Sequence, residues 1–256
     1  MTDLTERRSR LKDEFIRVLG YWEPACEQLL EASPAYFEAY LGYAAVPWQT
    51  GSLSPKVKEF IYITINASPT HLYEPALRVH IANALCLGAT RDEVFAVLQT
   101  ISILGIHSLA LSMPILLEEA KAAGREIDPA RLDPRQAALK QQYTKTRGYW
   151  PAGWDGVIAL TPDFMAAHET LGAVTLAEGA LELKVRQFVF IAVDAATTHL
   201  WAPGVRAHMR EALRAGATVE EIAEVLELTA VLGTQSVTFG LPILNEETAR
   251  LARPVT

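Results

Sequence analysis

Cysteine is scarce in this chain: two in 256 residues, Cys26 and Cys86. They are far apart, and no C-x-x-C pair occurs, so a disulfide framework and the common dithiol redox motif are excluded. A reducing, cytoplasmic setting is expected. Long basic runs are missing too. The net charge is −7 and the densest cluster, Arg7, Arg8 and Arg10, is diluted by Glu6 and Asp13, which argues against nucleic acid as a partner. There is no glycine-rich phosphate loop, no G-x-S-x-G elbow and no H-E-x-x-H pair. His71, His80 and His107 with Glu74 could supply metal ligands, but not at a compact ligand spacing; neither a metal nor another cofactor is expected. The first residues, Thr2 to Glu6, are polar and carry acids, unlike a signal or transit peptide.

What the chain does have is a repeat. Gly20-Tyr21-Trp22 recurs at Gly148-Tyr149-Trp150, Thr70-His71-Leu72 at Thr198-His199-Leu200, and Pro114-Ile115-Leu116 at Pro242-Ile243-Leu244, all at one offset of 128. The match runs without a gap from Gly20 to Glu119, and about a third of the aligned positions are identical, far above chance. A tandem duplication follows, with halves 1–128 and 129–256. Half the residues are hydrophobic and 21% charged, a balance that supports folded cores and not disorder. Val97 to Leu117 carries no charge and reaches spanning length. Its copy contains Glu227, while Gln99 and His107 interrupt the original, so a buried core or interface helix is expected and no membrane span.

The local signals are helical. Ser33-Pro34, Ser54-Pro55 and Thr161-Pro162 each place a hydroxyl before a proline, the pattern of an N-cap followed by the first helical residue. Gly88 and Gly216 suit left-handed helix ends. Thr90 with Glu93, and Thr218 with Glu221, have the spacing of a capping box. Phe60–Ile65 and Phe188–Val193 are apolar and β-branched enough for strands, yet no other strand candidate exists to pair with them, so both are read as buried helix. Asp133-Pro134 restarts the helix after a polar join around Gly124–Pro129.

Chemistry-bearing residues concentrate in Thr70–His80 and its copy Thr198–His208. Pro75 should open a helix, leaving His71, Tyr73 and Glu74 in the loop before it and placing Arg78 and His80 on its first turns. His80 shares a face with Leu77, Ile81 and Ala84. On one reading it is a core histidine bonded to a carbonyl; on the other, a partly buried proton shuttle. Four of the chain's six histidines form two matched pairs, His71 with His199 and His80 with His208. Glu74 and Arg78 have the spacing of a surface ion pair. Arg206 nonetheless persists where Glu74 has become Ala202, which suggests a carboxylate-holding role for the arginines. His107 becomes Gln235 in the second copy, so the first copy is expected to be the working one.

These stretches resemble the carboxymuconolactone decarboxylase family, which includes the alkyl hydroperoxidase D-like proteins. The similarity runs from Leu53–Glu59 through Thr70–His80 to Ala84–Glu93 and the Gly105 helix, in both copies. It implies an all-α fold, a tandem duplication of the alkyl hydroperoxidase D-like helical domain, assembled as a homo-oligomer with a trimer as first expectation. The peroxidase branch places a C-x-x-C pair ahead of its histidine. Here those positions are Tyr73 and Ala76, and Trp201 and Gly204, so thiol peroxidase chemistry is not expected. The decarboxylase branch implies a histidine at His80 with a glutamate shortly before it, for which Glu74 is the nearest match.

The expected function is therefore acid–base chemistry on a small organic acid or lactone: decarboxylation, lactone opening or isomerisation. His80, Glu74 and His71 are the catalytic candidates, and Arg78, Tyr73 and His107 the substrate-binding ones. His208, His199 and Arg206 are the second-copy counterparts. The alternative is a binding or scaffold protein that keeps the fold without the chemistry, since fold alone does not fix function.

Overall fold

Proline and hydroxyl chemistry sets most helix starts in the computed structural model, which describes residues 2–151, 153–177 and 180–252. The first half comprises α1 (Thr2–Leu19), α2 (Pro24–Ala32), α3 (Pro34–Thr50), α4 (Pro55–Ala67), α5 (Glu74–Cys86), α6 (Arg91–Ser102) and α7 (Ile106–Ala122). The second comprises α8 (Pro134–Arg147), α9 (Trp154–Leu160), α10 (Pro162–Ala177), α11 (Leu183–Ala195), α12 (Ala202–Arg214), α13 (Val219–Ala230) and α14 (Gln235–Leu251). No strand occurs among the described residues. Ser33 and Ser54 accept the N–H groups of Tyr36 and Val57. Both capping boxes of the repeat form, and a third joins Asp133 to Gln136. Thr161 instead donates its hydroxyl back to the Val157 carbonyl of α9.

The two strand-like runs are central helices. Every residue from Lys58 to Asn66 in α4 and from Val185 to Asp194 in α11 is buried. A helix enclosed on all sides needs no polar face, which is why its sequence carries no amphipathic stripe. α4 and α11 pack against each other, α6 packs on α11, and α13 packs on α4. The halves also exchange their last helices. α7 of the first half lies on α9 of the second, and α14 of the second lies on α2 of the first. Such reciprocity is what a pseudo-two-fold relation between the halves requires.

One buried link departs from that symmetry. Lys58 Nζ pairs with Glu224 Oε1 at 2.9 Å, and Glu224 Oε2 accepts the Ser52 and Leu53 N–H groups at 2.6 and 2.9 Å. The corresponding residues are Arg186 and Ala96, so only one of the two half-to-half contacts carries this ion pair. The helical stretch 91–122, which includes the uncharged Val97–Leu117 run, is long and apolar enough by composition to cross a membrane, and half of its most apolar window is buried inside the fold. Val97, Ile101, Ile106, Ala110 and Met113 point inward. Leu111, Ile115 and Leu116 are exposed.

The α4–α5 and α11–α12 connections position the histidines. In each, a leucine takes a left-handed backbone: Leu72 at φ 49° and Leu200 at φ 51°. This region is uncommon for any side chain but glycine, and it recurs at the same place in both halves. The turn lets Tyr73 N–H reach the Asn66 carbonyl at 2.9 Å, and Trp201 N–H the Asp194 carbonyl at 2.8 Å. His71 and His199 are thereby held beside the ends of α4 and α11.

Candidate functional site

His80 projects from the second turn of α5 onto α4. Its Nδ1 lies 2.7 Å from Glu59 Oε2, and the other oxygen of Glu59 accepts Asn83 Nδ2 at 3.1 Å. Both members of the pair are buried, His80 at 6% exposure and Glu59 at 1%. The imidazole stacks on Tyr62 at 4.5 Å and meets the edge of Tyr21 at 5.7 Å. His80 lines a cavity of about 40 Å³, with Glu23, Cys26, Tyr40 and Tyr73 from the first half and Gln235 and Thr238 from the second. That volume holds a water or two.

Burial sets the electrostatics here. It raises the Glu23 carboxyl above the usual carboxylate range, with the nearby His80 pulling the other way. It also raises Tyr21 and Tyr62 above the ordinary phenol range and pushes the Cys26 thiol up to about 11. A thiol held protonated in this way is a poor nucleophile.

His71 stands next to this cavity. Its Nε2 lies 2.6 Å from Gln235 Oε1, and Gln235 Nε2 donates to Asn66 Oδ1 at 2.8 Å. Tyr73 borders the cavity and meets the edge of Phe239 of α14 at 5.8 Å. Glu74 and Arg78 do not join them. They pair with each other at 2.5 Å with most of both side chains in solvent, and neither lines the cavity. The acid beside His80 is Glu59, on the preceding helix.

The second half builds the same frame with different groups. His208 Nδ1 lies 2.8 Å from Gln187 Oε1, the amide standing where Glu59 stands, and the ring stacks on Phe190 at 4.3 Å. The pocket beside it measures about 560 Å³, with walls from Tyr143, Trp150, Trp154 and Trp201 and with Arg206 and Arg210 among its lining residues. His107 belongs here and not with His80. Because α7 crosses to the other half, His107 Nδ1 sits 2.8 Å from His199 Nε2, its ring stacked against His199 and Trp201. Asp194 lies beneath both rings, 3.6 Å from His107 Nδ1 and 3.7 Å from His199 Nε2. Burial raises the Asp194 carboxyl to about 8 and lowers His107 to about 4, the charges of His199 and His168 adding to the fall; burial lowers His199 as well.

Sequence reasoning missed Glu59, Glu23 and Asp194. Glu59 precedes an apolar run by one residue and Asp194 follows the matching run by one. A polar residue abutting a run that must be fully buried is the signal that could have found both.

The sequence profile of the carboxymuconolactone decarboxylase family matches residues 34–107 and 162–246, one segment in each half. A crystal structure from Burkholderia xenovorans LB400, of a protein provisionally assigned as a gamma-carboxymuconolactone decarboxylase subunit, is 38% identical to this chain. The alignment covers 96% of this chain and 98% of that one, with a TM-score of 0.91. No curated protein matches the chain.

Proposed function

The chain belongs to the carboxymuconolactone decarboxylase family, and on that premise we propose that it catalyses proton transfer at a carbon next to a carbonyl of a small organic acid or lactone. The supporting observation is the buried Glu59–His80 pair. A carboxylate on Nδ1 fixes the tautomer and orientation of the ring, leaving Nε2 to exchange a proton with substrate. In a decarboxylation the carbon–carboxylate bond breaks, carbon dioxide leaves, and the electron pair passes into the neighbouring carbonyl. His80 then delivers a proton to the carbon. Glu23, whose carboxyl is raised by burial, is a second candidate for proton transfer at the same cavity.

A second reading rests on the roomier pocket of the other half. Its volume of about 560 Å³ falls within the range usual for small-molecule sites, and Arg206 suits a carboxylate. There the uncharged Gln187 partners His208 in place of a carboxylate.

The test is turnover of a panel of lactone carboxylates and β-keto acids by the purified chain and by His80→Gln and His208→Gln. Loss confined to His80→Gln supports the first site, and loss confined to His208→Gln moves the reaction to the second. No turnover by the parent chain, with panel members still raising its Tm, favours a binding protein of the same fold.

A further inference from the structure

From the geometry we propose that the chain holds a divalent transition-metal ion, of the zinc type, where α7 meets the second half, between His107 Nδ1, His199 Nε2 and Asp194 Oδ1. The three donor atoms are mutually separated by 2.8, 3.6 and 3.7 Å. A point equidistant from them lies about 2.0 Å from each, which is the bond length of zinc to imidazole nitrogen and carboxylate oxygen. Two imidazoles and one carboxylate are a donor set that suits such an ion and leaves a coordination position open. His107 lines the 560 Å³ pocket, so the open position is accessible to a small ligand.

An independent observation points the same way. Asp194 is 0% exposed, and neither carboxylate oxygen has a hydrogen-bond partner among the described residues. A buried carboxylate without a donor is costly unless it is paired or coordinates a metal. His208 Nε2, the next group on this carboxylate, stands 3.9 Å from Oδ2.

Comparison of the halves shows that the cluster is a departure from the frame and not a consequence of it. The equivalent positions at the other site are Asn66 and His71 with Gln235 of α14, whose amides satisfy one another and the histidine with hydrogen bonds of 2.6 and 2.8 Å. At the His199 site both amides are replaced by metal-ligating groups, Asp194 and His107 of α7. Ala76 is replaced as well, by Gly204. A Cβ at Gly204 would sit 2.0 Å from Asp194 Oδ2, so the glycine provides the space the carboxylate occupies. The inference is independent of the proton-transfer reading, which places its chemistry at His80.

The experiment is titration of the chelator-stripped full chain with zinc ion, followed by calorimetry and by the shift in Tm. One equivalent bound per chain and a raised Tm are expected. His107→Gln and Asp194→Asn, which introduce the residues of the matching site, Gln235 and Asn66, should each weaken binding at least tenfold, while His80→Gln should bind as the parent does. Circular dichroism establishes that each variant is folded; if Asp194→Asn is not, His107→Gln decides. Absence of zinc binding by the parent, or equal binding by a folded His107→Gln variant, overturns the proposal.

Discussion

Glu59 Oε2 and His80 Nδ1 meet at 2.7 Å across the packing of α4 on α5, both enclosed by the fold, while Gln187 and His208 meet at 2.8 Å in the matching place. The pair of halves thus contains one charged and one uncharged version of the same contact. Glu59→Gln would convert the first into the second, so the fold has a precedent for it. We expect it to lower turnover by about 10²–10⁴-fold if the carboxylate sets the state of His80. Stability should fall by about 1–3 kcal/mol at most, because the amide still offers an acceptor. Steady-state kinetics with a urea melt separates the two effects. Unchanged turnover would remove Glu59 from the mechanism.

The Glu74–Arg78 pair lies at the surface, with its side chains 70% and 78% exposed. Glu74→Ala and Arg78→Ala should each cost less than about 1 kcal/mol, as exposed ion pairs do, and should leave turnover as it was. A tenfold loss of kcat/KM in a folded variant would show that these residues act on substrate after all.

Thiols should be dispensable. Cys86 is exposed and Cys26 is buried against the His80 cavity. At pH 8 an alkylating reagent should therefore label Cys86 and spare Cys26, read by mass spectrometry. Since burial pushes Cys26 up to about 11 from 9.0, the folded chain retains a proton there that the unfolded chain has lost. Stability from this group is present below pH 9 and is lost as pH rises toward 11. Cys26→Ala should flatten that part of the stability profile, and the double Cys→Ala variant should keep its activity. Loss of turnover in the folded double variant would restore a thiol mechanism.

A homotrimer is the proposed assembly. Leu111, Ile115 and Leu116 on α7 are exposed, and so are Phe239, Ile243 and Leu244 at the same positions of α14. Apolar residues clustered on one exposed face mark a surface for association. Light scattering should give about three times the chain mass, and Leu111→Glu with Phe239→Glu should reduce it. A monomer at all concentrations would leave these faces without that role.

Much of this protein was determined by its sequence alone. The 128-residue offset revealed the duplication, and Thr90 with Glu93 and Thr218 with Glu221 gave helix starts that form as their chemistry requires. These are local interactions, satisfied within four residues of chain, so they can be read along it. Tertiary structure decided which groups meet. Glu74 was the nearest acid along the chain to His80, but the α4–α5 packing brings Glu59 to it from 21 residues away. His107 was expected to serve the first copy, yet α7 crosses to the second half and sets it against His199, 92 residues on. No periodicity encodes an exchange of helices between halves. It arises because α7 packs Ile106, Ala110 and Met113 into a core with Tyr143, Trp154 and Val157, and α14 rests Val237 and Leu241 on the core of the first half. Such packing depends on the surfaces of both halves.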